Sequence, residues 1–307
     1  MDPLTREVTV DTDLDTLLIA LYVALTDDIV PSLRGARGPG RPAQVTDAEL
    51  VCLAVAQAHL GYVKERRWLR CAPKLVGHLF PRLLCQSEYN RRLRSLSGLM
   101  LETTRWLARR TDSVHDRVRL IDGTKIICGM SRETVKRSDL FGYCGYGYDK
   151  SHSLYYWGMK LMLLMTLDGL VTGFILVNPK MYGELEATLM MLAVADNHPL
   201  PGSTVVGDKG FRGEDFAAQL LRQGIVLVRP ACSDEVDPRV FPKWLRQPVE
   251  AVIGTLKDQF GIEHPRAHKP DGLFTRVIQR LLALNAGVWH NWQTSTVRKR
   301  SLIAFDH

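Results

Sequence analysis

The chain has two textures. Up to about residue 111, apolar residues recur every three or four positions; beyond it they gather in short, dense runs. "DTDLDTLLIALYVALTDDIV" places Leu14, Leu17, Leu18, Leu21 and Leu25 on one helical face. "PSLRGARGPGRPAQV" follows, rich in Gly, Pro and Arg, and predicts a basic linker. "TDAELVCLAVAQAHLG" opens with Thr46 as a helix cap and Glu49 three residues on, a capping box, and stops at Gly61. "KERRWLRCAPKLVGHLFPRL" predicts one or two short basic helices, and "SEYNRRLRSLSGLMLETTRWLARR" a longer helix from about Ser87.

After Asp112, "RVRLIDGTKIICG", "LYYWGMKLMLLMTL", "LVTGFILVN", "STVVGD" and "GIVLVRP" have the length and β-branched content of strands. Asp168–Gly169 marks a tight hairpin turn between the second and third. "GELEATLMMLAVADN" and "GEDFAAQLLRQG" predict helices between the later strands, and "HKPDGLFTRVIQRLLALNAGVWHNW" a closing helix with basic residues, core plus a solvated face. The fold class is therefore α/β, a mixed sheet flanked by helices and preceded by an all-α N-terminal region. The division expected is 1–111 helical, 112–295 sheet-bearing and 296–307 a basic tail. The segment 129–152, "GMSRETVKRSDLFGYCGYGYDKSH", is Gly/Tyr-rich and too long for an ordinary connection. It predicts a functional or partly disordered loop whose tyrosines could stack on bases.

Charge changes the picture. The chain of 307 residues carries a formal net charge of +7, unevenly distributed. Residues 1–30 hold seven acids and one base, whereas residues 31–110 hold fifteen Lys and Arg against five acids. A basic helical segment of that size points to a polyanion, most commonly nucleic acid, and suits a helix-turn-helix-like reader of DNA. The acidic start "MDPLTREVTVDTDLD" is unlike a secretory leader, and no uninterrupted apolar run has the length of a membrane span, so a cytoplasmic protein is expected. The six cysteines form no C-x-x-C pair and read as reduced thiols. There is no G-x-G-x-x-G, Walker or G-x-S-x-G motif to suggest a nucleotide-binding or hydrolase site.

The chemistry is concentrated in carboxylates at strand ends. Asp122 follows "VRLI" and precedes Gly123, Thr124 and Lys125; Asp208 follows "STVVG" and precedes Lys209, Gly210 and Arg212. One such aspartate reads as a turn cap. Two in the same context, on neighbouring strands, would converge at one sheet edge, where their repulsion calls for a cation. Oxygen ligands alone suit Mg²⁺ or Mn²⁺. The helix "KWLRQPVEAVIGTLKDQFG" is the best source of a third acid. Arg246, Glu250 and Lys257 lie within roughly 40° of one another on an ideal helix. Alone, that stripe is also what a surface salt-bridge ladder looks like. Glu184, Glu186 and Glu263 fall near helix ends and carry less weight; His264 and His268 are separated by Pro265, which argues against a helix-borne metal pair.

Together these pieces resemble the catalytic domain of DDE-type bacterial insertion-sequence transposases. "LIDGTKI" matches the first aspartate motif, "VVGDKGFRG" the second, and "RQPVEAVIGTLK" the glutamate motif with its Arg-x3-Glu-x6-Lys spacing. In several branches a Tyr precedes that Arg by three positions; here Lys243 stands there. "SEYNRRL" is similar to the helical N-terminal region of one branch. The resemblance spans roughly Leu120 to His290. It implies a ribonuclease H-like fold and metal-dependent cleavage and strand transfer at the ends of an element, with two Mg²⁺ ions (Mn²⁺ possible) per site. Asp122 would be shared by both ions, with Asp208 and Glu250 each completing one side. Lys257, Arg246, Lys209, Arg212 and Lys125 would contact DNA, and synapsis of two ends would require at least a dimer. A nuclease that cuts without joining, and an inactive sequence-specific DNA-binding protein, remain open alternatives.

Overall fold

The computed structural model describes residues 13–33, 43–129, 132–149, 153–194, 199–235 and 241–305. The acidic residues 1–12, positions 34–42 of the expected basic linker, and 130–131 and 150–152 of the Gly/Tyr segment lie outside the described residues.

The first helix, α1 (Leu14–Val23), is capped by Asp13, whose carboxylate accepts the Thr16 N–H at 2.8 Å. A wider π-turn, Ala24–Ile29, leads into α2 (Val30–Leu33). The helical segment Leu14–Leu33 is thus long and apolar enough to cross a membrane by length and composition, with a mean hydropathy of 1.5. Scattered aspartates hid this from a search for unbroken apolar runs. Its leucines 14, 17, 18, 21 and 25 and Ile29 are buried in the protein's own core.

α3 (Asp47–His59) starts as expected: Thr46 Oγ1 accepts the Glu49 N–H at 3.1 Å, and Glu49 reaches back to the Thr46 N–H. It ends at Gly61, whose φ of +66° is reached most easily without a Cβ. α4 (Glu65–Leu75) is the basic helix. The single helix expected from Ser87 is two, α5 (Gln86–Ser95) and α6 (Ser97–Arg109). Leu96 leaves helical geometry between them (φ −96°, ψ 7°) while its side chain stays in the core, so the chain turns without exposing apolar surface.

The sheet begins with β1 (Val118–Gly129). The segment read as a loop contains α7 (Arg132–Lys136) and a strand, β2 (Gly145–Asp149). The Gly-Tyr-Gly-Tyr alternation that looked like flexible sequence is a pleated strand exposing Tyr146 and Tyr148. β3 (Leu154–Met165) and β4 (Val171–Val177) form the expected hairpin, with Gly169 at φ +92° in the turn. α8 (Glu184–Ala193), β5 (Thr204–Val206), α9 (Glu214–Arg222) and β6 (Val226–Val228) follow in alternation, and α10 (Arg246–Gly254) and α11 (Pro270–Gln293) close the chain.

β3 is antiparallel to β1 along one edge; β2 and β4 share its other edge, β4 beside residues 160–165 and β2 beside residues 154–158. β5 is parallel to β1, and β6 parallel to β5. Both faces of the sheet are covered, which explains why β3 reads as almost continuous apolar sequence, interrupted only by Lys160. Its Leu161, Leu163 and Met165 join the large core shared with the helices of the first third, while Met162 and Leu164 join a smaller core with α8 and α9.

α11 was expected to leave one face in solvent. It is buried at almost every position from Val277 to Asn291, because α1, α3, α6 and β4 close around it. Buried Asn285 shows how tightly: it accepts the Val171 N–H at 2.8 Å and donates to the Val171 carbonyl at 2.9 Å and the Thr104 carbonyl at 3.1 Å, joining α11 to β4 and α6.

Candidate active site

The register of the sheet puts Asp122 and Asp208 side by side. Leu120 of β1 pairs with Val206 of β5 in parallel, and each aspartate lies two residues further along its strand direction. They open into a cleft of about 540 Å³ that is also lined by Lys125, Asp149, Lys160, Glu184, Lys257 and Glu263. Each aspartate is anchored by a local backbone donor: Asp122 accepts the Gly123 N–H at 2.7 Å and Asp208 the Gly210 N–H at 2.8 Å. At Gly210 a Cβ would sit 3.0 Å from both Asp208 Oδ1 and Glu184 Oε2, so glycine leaves room for two carboxylates to approach.

The electrostatics are those of crowded acids. Burial, followed by the charges of Asp208 and Glu184, pushes the Asp122 carboxyl up to about 6, against the opposing pull of the Gly123 N–H and Lys257. The Asp208 carboxyl is also raised, by burial and then Glu184; the Gly210 N–H, Arg246 and Lys160 oppose the shift. In both, loss of solvation is the largest cause, and neighbouring carboxylates add to it. The nearby lysines are already committed. Lys160 binds Glu184 at 2.7 Å, Lys257 binds Glu263 at 3.2 Å, and Lys125 is held by Asp149. Glu263 also accepts the Thr124 hydroxyl at 2.7 Å.

The other expected residues are dispersed. Glu250 lies on α10 but does not line the cleft: its carboxylate binds Arg246 Nε at 2.6 Å, and both side chains are largely exposed. The ideal stripe of Arg246, Glu250 and Lys257 is broken by a π-turn at Thr255–Gln259, where the Phe260 N–H reaches the Thr255 carbonyl at 3.1 Å. The wider turn separates Lys257, which lines the cleft, from Glu250, which does not. Arg246 still bears on Asp208 electrostatically, so the Arg246–Glu250 pair stands within reach of the aspartates' field. Lys209 is exposed beside Asp208. Arg212 turns to Asp234, at 2.7 Å, and lines a separate cavity with Arg229 and Glu235.

Glu184, Glu263, Asp149 and Lys160 are cleft residues that the sequence reading passed over or ranked low. Lys160 left a signal, a lone charge inside an apolar strand. The three acids left none that distinguishes them from helix-end or loop carboxylates.

The cleft donors are oxygens, which suit Mg²⁺. That ion is commonly bound by one or two carboxylates and keeps several waters for exchange with phosphate oxygens. Among the described residues no three acidic, His or Cys side chains form a ready-made cage. Asp122 and Asp208 are two carboxylates of the cleft that could serve as ligands of that open kind. No protein-family model matches this chain, and no curated protein matches it.

Proposed function

We propose that this protein is a DDE-type transposase with a ribonuclease H-like catalytic core, cutting DNA at the ends of its element and joining them to a target. The observation that carries the reading is the placement of Asp122, within β1, and Asp208, two residues past the end of the adjacent parallel strand β5, in one cleft. The strand arrangement is consistent with it: an antiparallel β1-β3-β4 meander extended by β5 and β6 parallel to β1. Asp122 and Asp208 would hold Mg²⁺. When bound, the metal supplies Lewis-acid polarisation of the phosphodiester and lowers the pKa of attacking water or hydroxyl.

The chain's own residues have separable tasks. The Gly123 and Gly210 N–H groups orient the two carboxylates. Glu263 holds Lys257 at the cleft wall, where its ammonium can meet a phosphate oxygen. Glu250 would be the third acid of this reading; its carboxylate is held by Arg246, and a DNA phosphate would compete for that guanidinium.

The test uses purified protein, a labelled duplex of the DNA flanking the gene, Mg²⁺ or Mn²⁺ and a target plasmid, with Asp208→Asn alongside. Metal-dependent cutting at a defined position, with label joined to the plasmid and none in the variant, is the expected result. Cutting without joining would make the protein a nuclease. Tight binding without cutting would make it an inactive DNA-binding protein.

A further inference from the structure

The cleft lining is acidic on balance. Its lining holds five acids, Asp122, Asp149, Glu184, Asp208 and Glu263, against three lysines, each of them paired. A second concave surface has the opposite character. It is lined by Tyr62, Lys64, Arg66, Arg67, Arg70 and Arg266 and has no acidic lining residue.

This surface follows from the pattern of α4. Glu65 and Trp68 face inward and are buried, whereas Lys64, Arg66, Arg67 and Arg70 are exposed. Glu65, the one acid in this stretch, is engaged on the inside: it binds Arg276 at 2.8 Å and accepts from Asn90 at 3.0 Å. Among the described residues none of the five groove cations has a carboxylate partner. Arg67 lies over the Tyr62 ring, 5.7 Å from its centroid, which holds the guanidinium in place while leaving its N–H groups free to donate. Arg266 projects from the loop before α11 with a φ of +55°, a left-handed conformation uncommon for a residue with a side chain.

The groove and the cleft adjoin. Glu263, in the cleft wall, precedes Arg266 by only three residues, which places their Cα atoms within about 11 Å even if the chain is fully extended. We infer that the groove formed by α4 and Arg266 binds the phosphate backbone of duplex DNA, holding the stretch next to the phosphodiester in the cleft. The inference rests on the DNA reading of the cleft and adds a grip to it. Three arginines on one face of α4, Lys64 at its N-terminal cap and Arg266 from the loop before α11 suit neighbouring phosphates along a backbone, and nothing in the lining selects a base edge. The contact is therefore independent of sequence.

The experiment uses the full chain carrying Asp208→Asn, so that DNA is bound but not consumed. Fluorescence anisotropy with a labelled duplex is recorded over a series of KCl concentrations. Three proteins are compared: this one, the same with Arg66→Gln, Arg67→Gln and Arg70→Gln, and a charge-matched control with Arg82→Gln, Arg110→Gln and Arg222→Gln. Each is checked for an unchanged thermal melt, and Arg266→Gln serves alone should the triple variant fail to fold. The groove variant is expected to bind roughly tenfold or more weakly at low salt, with a log–log salt slope shallower by about 2 to 3. The control should keep both. Equal losses in groove variant and control, or no loss in the groove variant, would overturn the inference while leaving the DNA reading intact. No DNA binding by the unaltered groove would overturn both. Retention by anionic vesicles but not by duplex would assign the surface to a membrane instead.

Discussion

The cleft and the α4 groove are neighbours built on opposite electrostatic plans. In the cleft every lysine has an acid and two aspartates have raised carboxyl pKa values, mainly through desolvation; in the groove, among the described residues, five cations stand without an acid. A site that must hold a cation and release a product gains from internal pairing, because its own charges do not seize the substrate. A site that must only hold a polyanion gains from leaving its cations free. Chemistry and grip are thereby separated into surfaces that mutation can address one at a time.

The largest expected effect breaks the chemical side alone. Asp122→Asn and Asp208→Asn should each lower cleavage by roughly 10³-fold or more, about 4 kcal/mol of barrier, while the binding isotherm stays within about twofold. Cleavage at the normal rate in either variant would remove that residue from the site.

The next prediction sharpens the cleft's boundary. Glu250→Gln should cost about 10²-fold or more in cleavage, and Glu184→Gln about tenfold, since Glu184 acts beside the aspartates through its pair with Lys160. Measured side by side, a reversed order would make Glu184 the third acid and leave Arg246–Glu250 as a surface pair.

A third prediction tests the scaffold the two surfaces share. His59 ends α3, just before the groove residue Tyr62, and its ring meets Phe260, at the end of the π-turn that carries Lys257, with centroids 5.2 Å apart. Burial holds its imidazole down to about 4, and Nε2–H donates to the Ala283 carbonyl at 3.0 Å. A lowered folded pKa means that the unfolded chain takes up the proton first. The stabilisation is complete above about pH 6.5 and is lost as the pH falls towards 4, by about 3 kcal/mol. Urea unfolding at pH 7 and pH 4.5 should show this loss, and His59→Gln should reduce it; an identical acid sensitivity in the variant would clear His59.

The smallest effect concerns stability at Arg246. Arg246→Ala removes an exposed i,i+4 pair and should change the unfolding free energy by no more than about 0.5 kcal/mol. A much larger loss in denaturant melts would mean that α10 is held by that pair rather than by Val252 and Ile253 beneath it.

Some of this was legible along the chain. Asp122 and Asp208 each end an apolar run, but only Asp208 lies at a strand end; Asp122 is mid-strand, because β1 continues to Gly129 along its ladder with β3, and only the fold sets β1 beside β5. Thr46 and Glu49 announce their helix start by chemistry contained within four residues. Other features depend on what folding brings near. The stripe argument for Lys257 assumed a uniform α-helix, which a π-turn interrupts. Glu184 and Glu263 come from a helix start and a loop that meet only because the sheet folds them over the aspartates. The basic stretch around α4 was visible as composition, but Arg266 lies some two hundred residues away and belongs to it only in three dimensions.

α11 ties the helical first third to the sheet on all sides, with Asn285 bonded to both. A fragment starting near residue 112 would leave that helix with its α1, α3 and α6 neighbours missing and a large oily surface bare. The two parts should therefore melt in one cooperative step. Over generations, a lineage carrying this chain could not trade its helical half for a new one as a detachable cassette; any change in what it binds would have to be made residue by residue, on the outside.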